Sequence, residues 1–404
     1  LTDARRARPS RPRAARCRRD ADADAARENV AAGYRSRVPF SFDALRRWPD
    51  LEAPELLAAD AADRLILDES AEARAGLGEG ELVVIGDAYG ALTLAAADAG
   101  ARGIRVHQDE LTGERALAAN AETIGLTETY TSHDRDAALL ADARIVLLRL
   151  PRSLRELHDV AGLIAQHARP DVVVFAGGRL KHMTVTMNDV LRERFDRVDV
   201  SHARQKSRVL IARGPHDGAE PEPERTRVDG LEIRSFGGAF AGASLDIGTR
   251  MLLAHLPEPA GDEAIDLACG TGIVAAALAT RHPSLRVLAC DQSAIAVASA
   301  RATAEANGVA DRVTVVRDDM LRSRPDDSAS FIALNPPFHS GAAVTDGIAP
   351  RMFADAARVL RVGGELWTVW NSALQYRPAL ERLVGPTRQV ARDRKFTVTV
   401  STKR

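Results

Sequence analysis

The chain has 404 residues, 45 % of them hydrophobic, enough for two or three domain cores of ordinary size. A formal net charge of -1 excludes a uniformly basic nucleic-acid coat, so a polyanion would have to meet a local basic face. Cys17, Cys269 and Cys290 form no CxxC pair, and no apolar run could span a bilayer, so the expectation is a reducing cytoplasm, no metal and no membrane.

Residues 1–35 include "RRARPSRPRAARCRRDADADAARENVAA", with almost nothing to bury. They predict a disordered basic arm. A solvated tail, or a start-site artefact in a chain opening on Leu rather than Met, is preferred to contact with RNA phosphates. Residues 36–212 alternate short β-branched runs with Ala/Leu-rich helical runs, the pattern of an α/β lobe with a parallel sheet. In them "ELVVIGDAYGALTLAAADAG" predicts a strand, a glycine turn and a helix, and "GIRVHQDELTGERALAANAETIG" repeats the unit. "ARIVLLRLPRSL" predicts a further strand that opens onto a turn. Residues 213–230, "RGPHDGAEPEPERTRVDG", predict an exposed linker or hairpin.

Residues 231–404 run the same programme. "AIDLACGTGIVAAALATRH" is strand, turn and helix; "LRVLACDQSAIAVASARATAEANG" is a second strand ending in Asp291, then a helix. "DRVTVVRDDM" predicts a third strand ending in two acids, and "ASFIALNPPF" a fourth. A helix over "GIAPRMFADAARVL" and strands over "GGELWTVW" and "RKFTVTVST" follow. Landmarks in the halves keep steady offsets: 335 − 149 = 186 for Asn335 and Arg149, and 308 − 125 = 183 for Gly308 and Gly125. That regularity points to a duplication. The chemistry-bearing positions differ. Cys269-Gly270-Thr271-Gly272 becomes Asp87-Ala88-Tyr89-Gly90, and Asp266 becomes Val84. Asn335, Pro336 and Phe338 become Arg149, Leu150 and Arg152. The first half keeps the scaffold without the pocket.

In an open α/β sheet, ligands bind beyond the carboxyl ends of the strands. Gly270 and Gly272 allow a sharp turn and close backbone approach there. Their spacing alone does not exclude a dinucleotide. Asp266, an acid beneath the loop, suits an ammonium or ribose better than a pyrophosphate, and so favours S-adenosylmethionine with its zwitterionic methionine end. Asp291 is placed to accept from ribose hydroxyls, and Asp318 and Asp319 to accept from an adenine amino group. One such acid is as readily a solvated strand end or helix cap; three at successive strand ends are not. Cys269 and Cys290 read as small buried residues.

"DLACGTG", "CDQS" and "NPPFH" together resemble the class I S-adenosylmethionine-dependent methyltransferases of the N-P-P-[FY] kind, and the likeness runs from about residue 38 to 404. Among these the chain is most similar to the two-domain ribosomal RNA guanine-N2 methyltransferases. "FAGASLDIGTRMLLAHLP", "NPPFHSGAAVTD" and "RKFTV" look most like the 23S (large-subunit) enzymes, with the 16S enzymes as siblings. "WPDLEAPELLAADAADRLILDES", "DAYGALTLA" and "RLPRSLREL" resemble that family's first domain. The resemblance implies two tandem Rossmann-like class I methyltransferase domains, the N-terminal one degenerate. It further implies S-adenosyl-L-methionine as cofactor and methyl transfer to guanine N2 of rRNA by a cytoplasmic monomer. The substrate it implies is protein-free or partly assembled RNA, with the base flipped or single-stranded.

The residues carried over are Asn335, Pro336, Pro337 and Phe338 for catalysis. Those for the cofactor are Asp266, Ala268, Cys269, Gly270, Gly272, Asp291, Gln292, Asp318, Asp319 and Asn335, with Phe240 and Asp246 on a segment folding over it. That segment, "AFAGASLDIG", departs from the family pattern at Gly242 and Ser244. An aryl NH2 is a poor nucleophile because its lone pair is delocalised into the ring. The Asn335 side-chain oxygen and the Pro336 carbonyl can bind its two hydrogens and aim the lone pair, and the prolines fix those acceptors in advance. Phe338 offers a stacking face. His339 is not required as a base. In the first half Arg149, Arg152 and Arg155, with Arg179, Lys181 and His182, could meet RNA phosphates, which position RNA without reading sequence. Other readings keep the chemistry on a protein glutamine amide or adenine N6, or make the chain a non-catalytic RNA-binding assembly factor. The duplicated first half argues against the former and the intact second-half site against the latter.

Overall fold

A computed structural model describes residues 40–337 and 342–404, apart from the side chains of 342–346. The basic arm, with Cys17, and Phe338 and His339 lie outside the described residues. In the first lobe, β1 (Leu82–Ile85), β2 (Ile104–His107), β3 (Tyr130–Ser132), β4 (Ile145–Arg149) and β5 (Val173–Arg179) run parallel. The strands β6 (Phe195–Val200) and β7 (Ser207–Pro215) complete the sheet antiparallel, in the order β3-β2-β1-β4-β5-β7-β6. A two-stranded hairpin, β8 (Glu224–Val228) and β9 (Leu231–Ser235), joins the lobes.

The second lobe holds β10 (Glu263–Leu267), β11 (Arg286–Asp291), β12 (Val313–Arg317), β13 (Ala329–Leu334), β14 (Leu360–Asn371), β15 (Thr387–Arg392) and β16 (Phe396–Thr402). Its order, β12-β11-β10-β13-β14-β16-β15, repeats that of the first lobe strand for strand. Both chains of elements are therefore Rossmann-like, as the alternating pattern predicts. Central strands are buried on both faces, and their side chains alternate between two cores. Ala264, Phe331 and Ala333 enter one core of the second lobe, and Ile265, Leu267, Ile332 and Leu334 the other.

The segment 213–230 is more structured than a linker. β7 runs on to Pro215, three residues past the expected boundary, because Arg213 pairs with Val173 on one side and Arg197 on the other. Residues 224–228 form one strand of the hairpin. The helix Ala294–Ala306 covers the hairpin's edge: Ser299 and Thr303 side chains accept from Phe236 and Arg234 amides, and Asn307 exchanges bonds with Glu232. Such cover removes an edge open to stray pairing.

The lobes meet through equivalent pieces. The Leu111 amide donates to the Gln292 carbonyl at 3.0 Å, and the Ala294 amide donates to the Asp109 carbonyl at 2.9 Å, around a bridge between Glu110 and Ser293. Each position is 183 residues from its counterpart (294 − 111, 292 − 109, 293 − 110), so the two bonds are the same bond made in both directions. Arg317 adds an ion pair to Glu114 at 2.8 Å and donates to the Gln108 and Asp109 carbonyls.

Candidate active site

The loop after β10 leaves the sheet next to the end of β13, since Leu267 stands in register with Leu334. Ala268, Gly270 and Gly272 all take positive φ, 57°, 53° and 71°. A Cβ on Gly272 would lie 2.7 Å from the Ala300 Cβ and 2.9 Å from its Cα, so only glycine lets this loop close onto the helix Ala294–Ala306. A Cβ on Gly270 would meet nothing within 4 Å. That open face is the cradle. Asp291 holds it from the side by accepting from the amides of Gly270 and Ser293, both at 3.0 Å. A carboxylate offers about four acceptor sites, so capacity remains for ribose hydroxyls. Burial pushes the Asp291 carboxyl above its ordinary range.

Asp266 is 3 % exposed and accepts from the Ala275 amide at 2.9 Å, in the first turn of the helix Ile273–Arg281. Burial raises its pKa to about 7. Cys269 and Cys290 are buried, and burial pushes both thiols well up, as inert structural cysteines require. Residues 264–275 contain no Lys or Arg. This donor set of acids and backbone amides fits a cationic, ribose-bearing cofactor and offers no counter-charge to a pyrophosphate.

Asn335 follows β13 directly. Its Nδ2 donates to Thr249 Oγ1 at 2.8 Å and to Asp246 Oδ2 at 3.3 Å. Asp246 also caps the helix Ile247–Leu253, accepting from the Thr249 amide at 3.1 Å. Both hydrogens of the Asn335 amide are thereby directed away from its Oδ1. That oxygen is buried and has no hydrogen-bond partner among the described residues. Unsatisfied buried acceptors are rare enough to need a reason. Pro336 is buried beside it and Pro337 is exposed. Phe240 sits on the segment before Asp246, 48 % exposed. Sequence reasoning missed Thr249, although the Asp-x-x-Thr spacing of a helix cap was there to find.

At the end of β12, both Asp318 oxygens accept backbone amides, from Asp319 and Ser323. Asp319 pairs with Arg322 at 3.2 Å and with Arg115 of the first lobe at 3.1 Å. The Gln292 side-chain oxygen accepts from Thr112 of the first lobe at 2.9 Å. Gln292 is thus turned to the lobe interface rather than offered wholly to a cofactor.

The first lobe shows what became of the matching pocket. Its loop keeps the positive φ values at Gly86, Ala88 and Gly90. The strand acid is gone, and Val84 lies in the core. Asp87 drops into the loop instead, fully buried, and accepts from the Leu92 and Thr93 amides at 2.7 and 2.9 Å. Tyr89 bonds Asp50 at 2.6 Å and carries the Arg47 guanidinium over its ring. Arg149, in the place of Asn335, pairs with Asp63 at 3.0 Å and Asp60 at 3.4 Å. It is a structural strut and not the free phosphate ligand expected, because Asp63 is 0 % exposed and needs a cation. Arg152, Arg179, Lys181 and His182 line a cavity of about 290 Å³ with it. Arg155 is likewise occupied, by Asp159 at 3.1 Å.

Among the described residues, no group of three or more His, Cys, Asp or Glu could hold a metal ion, and no helix is long and apolar enough to cross a membrane. The strand order, the glycine loop and the clamped asparagine define a class I S-adenosylmethionine-dependent methyltransferase. Residues 35–216 match the RLMG N-terminal domain family and residues 230–400 the Methyltransferase small domain family. A ribosomal RNA large subunit methyltransferase G of Streptomyces coelicolor is 35 % identical over 91 % of this chain and 99 % of its own length. One from Shewanella amazonensis is 32 % identical over 92 % and 99 %. The chain belongs to the ribosomal RNA large subunit methyltransferase G family. A solved T. thermophilus 16S rRNA N2 methyltransferase, in complex with AdoMet and guanosine, shares the fold, with a TM-score of 0.71 at 20 % identity over 90 % of this chain and all of that one.

Proposed function

We propose that this enzyme transfers a methyl group from S-adenosylmethionine to the exocyclic N2 of a guanine in 23S rRNA. The observation that carries the reading is the buried Oδ1 of Asn335, without a hydrogen-bond partner among the described residues, on an amide held by Thr249 and Asp246. That oxygen and the Pro336 carbonyl accept the two hydrogens of the target amine, which turns its lone pair outward. Because both acceptors are fixed before substrate arrives, little is lost on ordering them. Phe338 supplies the face on which the base stacks. When bound, the cofactor supplies an electrophilic methyl group. Gly270 leaves room for it and Gly272 lets the loop close beneath it, Asp291 accepts from its ribose, and Asp318 and Asp319 lie at its adenine end. Asp266 and Ala268 set the floor of the loop with Cys269, and Phe240 belongs to the cover. The enzyme works as a cytoplasmic monomer on protein-free or partly assembled RNA.

The test is incubation with tritiated S-adenosylmethionine and protein-free 23S RNA, 16S RNA or intact subunits, followed by nucleoside analysis. Label in N2-methylguanosine from 23S RNA supports the reading. Label from 16S RNA alone moves the substrate to the small subunit, and no label in any RNA removes the rRNA assignment.

The first lobe contributes RNA affinity through Arg152, Arg179 and Lys181, which have no ion-pair partner among the described residues. Changing all three to Gln is expected to reduce the salt slope of RNA binding by up to about 2, at about 0.7 per phosphate contact for single strands. An unchanged slope in a filter-binding titration would remove these residues from the interface.

A further inference from the structure

The first lobe reaches the cofactor end of the second at two flanking points. On the ribose side, the Thr112 hydroxyl donates to the Gln292 side-chain oxygen at 2.9 Å, one residue from Asp291. On the adenine side, Arg115 meets Asp319 at 3.1 Å and Asp318 at 4.0 Å. Thr112 and Arg115 lie in the first turns of one helix, Leu111–Ile124, and share a face by their i, i+3 spacing. Asp319 is almost wholly buried, so its geometry is set by its two arginine partners. One of them, Arg322, is half exposed at the side chain and neighbours Asp319 in its own chain turn. The other comes from across the lobe boundary and ties the acid to a rigid element.

We propose that this helix start is a wall of the S-adenosylmethionine pocket, and that Arg115 is a positioning residue that sets cofactor affinity by holding Asp318 and Asp319. The inference rests on the adenine end of the cofactor lying at those two acids. It gives the pocketless lobe a defined part in cofactor binding, distinct from any contact with RNA.

Calorimetric titration of the full chain with S-adenosylmethionine, without RNA, tests it. Arg115→Ala is expected to raise Kd by about tenfold, the scale of one charge-assisted bond. Arg115→Lys is expected to recover most of the loss, because it keeps the charge. In RNA methylation, the Arg115→Ala change is expected in KM for the cofactor, with kcat at saturation nearly unchanged. Glu114→Ala is the control: it cuts the ion pair to Arg317 at the same interface without touching Asp319, so a general loosening of the lobes would raise its Kd too. An unchanged Kd in Arg115→Ala, or an equal rise in Glu114→Ala, overturns the proposal. Tight cofactor binding by a wild-type protein that methylates no RNA would sink the rRNA reading and leave this one standing.

Discussion

Asn335→Ala is expected to lower kcat for methyl transfer by about 10³-fold while leaving most cofactor affinity in place. Removing one preorganised polar group that serves the reacting centre costs about 10² to 10³ in kcat in comparable sites. The case for the upper end is geometric. Oδ1 is buried and has no hydrogen-bond partner among the described residues, so it gives up no bond to them when it accepts from the amine. The clamp makes a second, graded test. Thr249→Val removes the 2.8 Å partner of Nδ2 but keeps shape, leaving only the longer 3.3 Å bond to Asp246. Transfer at saturating cofactor is expected to fall about tenfold in Thr249→Val and to return in Thr249→Ser, since a weakened clamp lets the amide rotate. Single-turnover rates with 23S RNA would measure both. Wild-type turnover in Asn335→Ala would end the mechanism in which Asn335 and Pro336 orient the amine.

Arg149→Ala is expected to destabilise the first lobe by about 3–5 kcal/mol, the usual cost of leaving a buried charge without its partner. Asp63 then keeps only the hydrogen bond from the Asp60 amide, at 2.7 Å, on the Oδ2 that Arg149 also bonds. The loss is expected to depend on pH. Burial already raises the Asp63 carboxyl from 3.8 to about 6 with Arg149 present. A raised carboxyl means that the folded state holds the proton more tightly than the unfolded chain does. Its ionisation therefore erodes stability as pH rises from about 4 through 6. Without Arg149 that erosion continues to higher pH. The deficit against wild type is small near pH 5, where Asp63 is protonated in both, and full near pH 8. Denaturation midpoints at the two pH values check this, and adding Asp63→Asn is expected to recover much of the loss at pH 8. Equal deficits at both pH values would mean that Arg149 acts through something other than Asp63.

Sequence patterns revealed the central parallel strands because β-branched runs buried on both faces are continuous and unambiguous. The glycine loop, the strand-end acids and Asn335 were legible for a related reason: loop chemistry is carried by residue types that packing seldom demands. β6 and β15 were not read. "FDRVDV" and "TRQVAR" are edge strands with mostly exposed or half-exposed side chains, and their strand character comes from β7 and β16 beside them. Arg149 looked like an open cation because its partner, Asp63, is 86 residues away inside a helical run. Thr249 looked like an ordinary helix residue for the same reason. Long-range polar pairing has no signature in local sequence.

The bonds that exchange places across the lobe boundary carry a last consequence. A contact that maps onto itself when its halves are swapped is the kind that two identical subunits make about a two-fold axis. Here the axis runs by Glu110 and Ser293, within one chain. Before fusion, a single-lobe ancestor with these bonds would pair as a homodimer. Fusion makes that contact intramolecular, so it no longer depends on the concentration of the protein.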